Sequence, residues 1–213
     1  MMNSGQHDFY YGEKIMASTF TQSLASLGPA QPAKTAAEND PAKQDYREGR
    51  EQFKKGEYAL AAMSFHNALK GFEEQGDESG IANASDRLGD ACLERQDYAA
   101  ALAHYRRAYA ICEKEEDSFS ILALNKKMAA AHRKLGELDK ALEYAFDMVE
   151  HYQLTKDPKG MVETMIVIAE LYQEKGDKLK AADTYRTVAA IHKNFKHQRM
   201  AEEFAILADN LVE

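Results

Sequence analysis

The chain has 213 residues, 45% of them apolar and 29% charged, a balance that supports one buried core and excludes a disordered chain. Its formal net charge of −8 works against general affinity for nucleic acid or an anionic membrane, both of which reward positive charge. Two cysteines are too few for a secreted disulfide framework, no apolar run approaches the roughly 18 residues of a membrane span, and the amino-terminal stretch lacks the apolar core of a secretory signal; the expected location is cytoplasmic.

Residues 1–41 form an amino-terminal tail. Met16, Phe20, Leu24 and Leu27 share one helical face and predict at most a short amphipathic helix. Pro29, Pro32 and Pro41 close the segment as a linker. From residue 42 onward the sequence repeats at a spacing of 40. Lys55-Gly56-Glu57-Tyr58, Arg95-Gln96-Asp97-Tyr98, Leu135-Gly136-Glu137-Leu138 and Lys175-Gly176-Asp177-Lys178 mark one turn in each copy, and Asp77, Asp117 and Asp157 mark another. An acid after each turn places negative charge at a helix amino terminus, where the macrodipole favours it.

Between the turns, Ala61, Ala101, Ala141 and Ala181 align as one series. Phe65, Tyr105, Ala145 and Tyr185 form the next, and Ala68, Ala108, Met148 and Val188 a third. Steps of four and three put each set on one helical stripe. Gly49, Gly89, Ala129 and Ala169 keep a facing position small. These signals predict helix pairs over about 42–81, 82–121, 122–161 and 162–197. Met200, Phe204, Leu207 and Leu211 then recur at helical steps and predict a capping helix over 198–213. The expectation is nine helices and no sheet, with neighbouring pairs stacked so that each buries the apolar face of the next.

At these residues the pattern resembles the tetratricopeptide repeat family. Repeat two supplies the family's large, small and aromatic-or-small positions as Leu88, Gly89, Cys92, Ala101, Tyr105 and Ala108, and repeat four as Ile168, Ala169, Tyr172, Ala181, Tyr185 and Val188. Glu48 and Gln52 depart from it in repeat one, and His132 and Ala145 stand in place of rings in repeat three. The usual period is about 34 residues, so these helices should be longer than average. The resemblance implies an all-α, right-handed superhelical array that presents a concave groove to a partner protein.

No chemistry competes with that reading. The histidines are scattered without a metal-ligand spacing, and no phosphate-binding loop, nucleophile elbow or Cys-x-x-Cys pair occurs. No enzymatic activity, metal or cofactor is expected. Cys92 and Cys112 sit on different turns of an antiparallel pair, too far apart to bridge, and read as small core residues.

The resemblance assigns the groove to the first helix of each repeat. Repeat one contributes Lys43, Tyr46, Arg47, Arg50 and Lys54, and repeat two Asn83 and Arg87 beside Asp86 and Asp90. Repeat three contributes Lys126, Lys127, Arg133 and Lys134, and repeat four Ile166 and Val167 among Glu163, Glu170 and Glu174. In the groove positions of the first three repeats, nine basic residues stand against three acidic ones. That predicts a site for an acidic peptide with an apolar end near Ile166 and Val167. The family's chaperone-tail groove uses two asparagines where this chain has Arg50 and Arg87, so that ligand is not implied. The alternatives are self-assembly through the tail or the array ends and, ranked last, nucleic-acid binding through the basic groove.

Overall fold

A computed structural model describes residues 40–212 of the chain. The amphipathic pattern from Met16 to Leu27 and most of the proline-containing linker lie outside those residues. Beyond Asp40 the chain is helix after helix: α1 (Pro41–Lys54), α2 (Tyr58–Gln75), α3 (Glu78–Glu94), α4 (Tyr98–Lys114), α5 (Ser118–Lys134), α6 (Leu138–Leu154), α7 (Pro158–Glu174), α8 (Lys178–Asn194) and α9 (Gln198–Val212). Among the described residues there is no strand. Each helix packs on the next, so the pairs stack in chain order, and α9 stands where a fifth first helix would begin.

The periodic acids do more than place charge near helix ends. Asp77, Asp97, Asp117, Asp157 and Asp177 are N-caps whose carboxylates accept from Gly80, Ala100, Ser120, Gly160 and Lys180 backbone N–H groups at 2.9–3.2 Å. Each cap satisfies a donor the first helical turn leaves open. Glu57 and Glu137 precede α2 and α6 without such a bond. The turns before them reverse through a left-handed residue. That residue is Gly56, Gly136 or Gly176 in three copies and Gln96, at φ 61°, in the second. The following N–H then reaches back to the preceding helix, as Asp97 N does to Cys92 O at 2.9 Å.

Packing follows the small-and-aromatic stripe. Phe65 and Tyr105 are fully buried, each against the glycine of its partner helix. A Cβ at Gly89 would lie 2.5 Å from Tyr105 Cε1, and one at Gly49 would lie 2.7 Å from Phe65 Cδ1. Repeat four carries Ala169 and Tyr185 at the same two places, both buried. The polar departures find partners. Ser64 Oγ donates to Gln52 Oε1 at 2.8 Å, and Gln52 reaches the exposed Glu48 at 2.9 Å. His132 is buried, stacks on Tyr144 with centroids 5.5 Å apart and pairs with Glu137 at 2.6 Å. Cys92 and Cys112 are buried free thiols.

The apolar core is divided. One cluster runs from Ala42 to Ala131. A small second one joins Ala141, Leu142 and Ala145 of α6 to Ile168 and Leu171 of α7, and a third runs from Val162 to Ala208.

Candidate functional site

The odd-numbered helices share one face, as ion pairs between residues about one repeat apart show. Lys127 Nζ on α5 lies 2.6 Å from Asp86 Oδ1 and 2.8 Å from Asp90 Oδ1 on α3. Arg133 on α5 reaches α7, with Nη1 3.0 Å from Glu170 and Nη2 2.5 Å from Glu174.

These pairs redistribute the charge of the groove. Arg87 lies 3.0 Å from Asp90 and 3.9 Å from Asp86, so Arg87 and Lys127 close on two carboxylates of their own face. Burial pushes the Asp86 carboxyl above its usual range, the neighbouring Asp90 adds to this, and Lys127 opposes it. Lys43 pairs with Asp40 at 3.7 Å and Lys54 with Glu51 at 2.8 Å. Asn83 is exposed and its Nδ2 donates to Ser79 O at 2.9 Å. Tyr46 packs inward against Phe65 and Phe72, at centroid distances of 5.7 and 6.4 Å. Arg47 is exposed and engaged. That leaves Arg50, Lys126 and Lys134 exposed, with no carboxylate within 4.0 Å among the described residues. The apolar pair separates: Ile166 packs toward α9 in the last core cluster, whereas Val167 faces a hollow on the α5 side.

That hollow has a volume of about 600 Å³ and lies between α5 and α7, floored by Ala145, Met148 and Tyr152 of α6. Its walls carry Ala129, Ala130, Arg133, Thr164, Val167 and Leu171, with Lys126, Lys134, Glu163 and Glu174 at the rim. Its origin is a set of side chains missing from one repeat junction. Between repeats two and three the corresponding positions hold Asp86, Asp90, Tyr105 and Lys127. Tyr105 Oη donates to Asp90 at 2.9 Å, and Lys127 sits 5.6 Å above the Tyr105 ring. One repeat on, the same four positions hold Lys126, Ala130, Ala145 and Val167. Ring, carboxylate and bridging cation are gone together.

The other two junctions keep their rings. Phe65 meets Tyr46 in the first, and Tyr185 stacks on Phe204 at 5.9 Å in the last, where a recess of about 320 Å³ stays open beside Ile166, Met200 and Phe204. Lys126, Arg133, Lys134 and Val167 are legible in the sequence as residues of this face, and Ala129, Ala145 and Met148 as members of its repeating series, whereas Tyr152 is not among those it singles out. The signal for the hollow itself was Ala145, standing where three other repeats keep a ring.

Among the described residues no helix is long and apolar enough to cross a membrane, and no three His, Cys, Asp or Glu side chains gather to hold a metal ion.

Comparison with known proteins agrees with this architecture. Residues 52–114 match the tetratricopeptide repeat family. The Tonsoku-like protein of Drosophila melanogaster is 26% identical over 129 residues, 60% of this chain, and the match spans only 8% of that protein's length. Among solved structures, nearly identical TPR-like repeats of kinesin light chain type from Podosopora anserina superpose with a TM-score of 0.67 at 16% identity, covering 80% of this chain and 87% of the other. A Rap protein in complex with competence and sporulation factor superposes with a TM-score of 0.55 at 16% identity, covering 90% of this chain and 56% of the other. At such identities the structures speak to the fold alone. The chain is thus similar to the tetratricopeptide repeat family over residues 52–114, and its 40-residue helix pairs carry the same fold on to residue 212.

Proposed function

We propose that the protein is an interaction scaffold that holds a segment of a partner protein against the face of its odd-numbered helices, centred on the junction of repeats three and four. The observation that carries this reading is the hollow of about 600 Å³ between α5 and α7, with Val167 in its wall and Lys126 and Lys134, unpaired among the described residues, on its rim. A preformed, largely apolar recess with a few charges at its edge is the usual form of a recognition site. The positive groove expected across repeats one to three narrows to Arg50 and this place, because Arg87 and Lys127 spend their charge on Asp86 and Asp90 of α3, and Arg133 on Glu170 and Glu174 of α7. The Rap protein solved with competence and sporulation factor gives a related stack in a complex. A partner segment of acidic character fits the rim, since opposite charge speeds encounter and fixes register.

The test starts from a partner captured by the full chain and identified by cross-linking and mass spectrometry. Its affinity is then measured for the parent, for Lys126→Glu/Lys134→Glu and for Val167→Glu. These side chains are exposed, so the helical spectrum should stay unchanged, and affinity should fall by about tenfold or more at low salt. Parental affinity in both variants would place the partner elsewhere.

A further inference from the structure

We infer that the hollow at the junction of repeats three and four is a receptor for an aromatic side chain of the bound segment, with a carboxylate beside that side chain in the ligand. The inference rests on the proposed binding face and adds what occupies it. The chain itself supplies the template. Repeats one, two and four each carry a ring at this register, Phe65, Tyr105 and Tyr185, held against the small residue of the partner helix. Repeat three keeps the small residue, Ala129, but has Ala145 in place of the ring. A ring delivered from outside completes a packing arrangement that the other repeats complete from within.

The polar surroundings narrow the ligand further. In repeat two the phenol of Tyr105 is met by Asp90 and its ring is covered by Lys127. The corresponding Ala130 and Val167 offer neither an acceptor nor a cation, so the recess suits a phenylalanine better than a tyrosine. The rim carries both signs, but its acids are engaged. Glu174 is taken by Arg133, and Glu163 faces Lys159 at 3.9 Å, while Lys126 and Lys134 reach no carboxylate within 4.0 Å among the described residues. An acid adjacent to the incoming ring meets those two lysines.

The test uses three capped tripeptides, Asp-Phe-Asp, Asp-Leu-Asp and Lys-Phe-Lys, titrated into the full chain carrying ¹³C-methyl alanine. The methyl of Ala130 reports the wall of the hollow. Asp-Phe-Asp should shift it saturably in the millimolar range, Asp-Leu-Asp should bind several-fold more weakly, and Lys-Phe-Lys should lose about tenfold at low salt. The hollow can also be plugged from within. Ala145→Tyr follows the Ala169 and Tyr185 pair of repeat four, and Ala129→Gly/Ala145→Tyr reproduces the Gly89 and Tyr105 pair. Either variant, once its helical spectrum matches the parent's, should abolish the Asp-Phe-Asp shift. No saturable shift, equal binding of the leucine peptide, or an undiminished shift in the folded plugged variant overturns the inference. The captured partner separates this outcome from failure of the face itself. If it binds the plugged variant at parental affinity while Lys126→Glu/Lys134→Glu loses it, the face stands and the aromatic receptor falls.

Discussion

His132 occupies a register that holds Cys92 in the second repeat and Tyr172 in the fourth, and it is the most enclosed histidine of the array. Burial holds its imidazole below the ordinary value, while the hydrogen bond and charge of Glu137 pull the other way. A histidine with a depressed folded value binds fewer protons folded than unfolded. Its contribution is therefore intact above the ordinary value of about 6.5 and is lost as the pH falls through it. Thermal midpoints should drop between about pH 7.5 and pH 5.5, and His132→Tyr, which copies Tyr172, should flatten that drop. An equal pH dependence in the two proteins would place the titrating group elsewhere. At this scale the sequence was only half legible. Tyr105 and Tyr185 could be read as core residues because their stripe is local to one helix. The pairing of Lys127 with Asp86 and Asp90 could not, because it joins residues one repeat apart and depends on how the helices stack. The groove's net charge, read position by position, therefore overstated what is free to meet a ligand.

Helices and their punctuation were the most legible level, since a 40-residue period repeated in register leaves little freedom in where the turns fall. Even so, the turn of repeat two differs in its chemistry. Gln96 carries a side chain in the left-handed conformation that Gly56, Gly136 and Gly176 adopt in the other copies. For a residue with a Cβ that conformation costs about 1–2 kcal/mol, and glycine returns part of the gain through its more flexible unfolded chain. Gln96→Gly should thus raise stability by about 0.5–1 kcal/mol, measurable as a higher denaturant midpoint at unchanged slope. A lower midpoint would mean that the glutamine side chain contributes something its exposure conceals. The caps were legible in kind but not in detail: an aspartate after a turn reads as a favourable charge, and only the backbone geometry shows it accepting a hydrogen bond from the third helical residue.

Across the whole molecule, stability in a stack is a sum over neighbours, and the division of the apolar core marks where that sum is smallest. The cluster that begins at Ala42 stops at Ala131, and what connects it to the cluster ending at Ala208 is the small group around Ala145, Ile168 and Leu171. Hydrogen exchange across a denaturant series should resolve α1–α5 and α8–α9 as two blocks with different opening energies, the α6–α7 amides following the weaker one. A single opening energy shared by all buried amides would show that the junction transmits cooperativity undiminished. The same junction has a mechanical meaning. Links in series share a load, and deformation concentrates in the softest, so bending of the stack should gather at the place where α5 and α7 lack a ring between them. The array would then behave as two stiff arms joined by a flexure, and a side chain wedged into that flexure would set the angle between the arms.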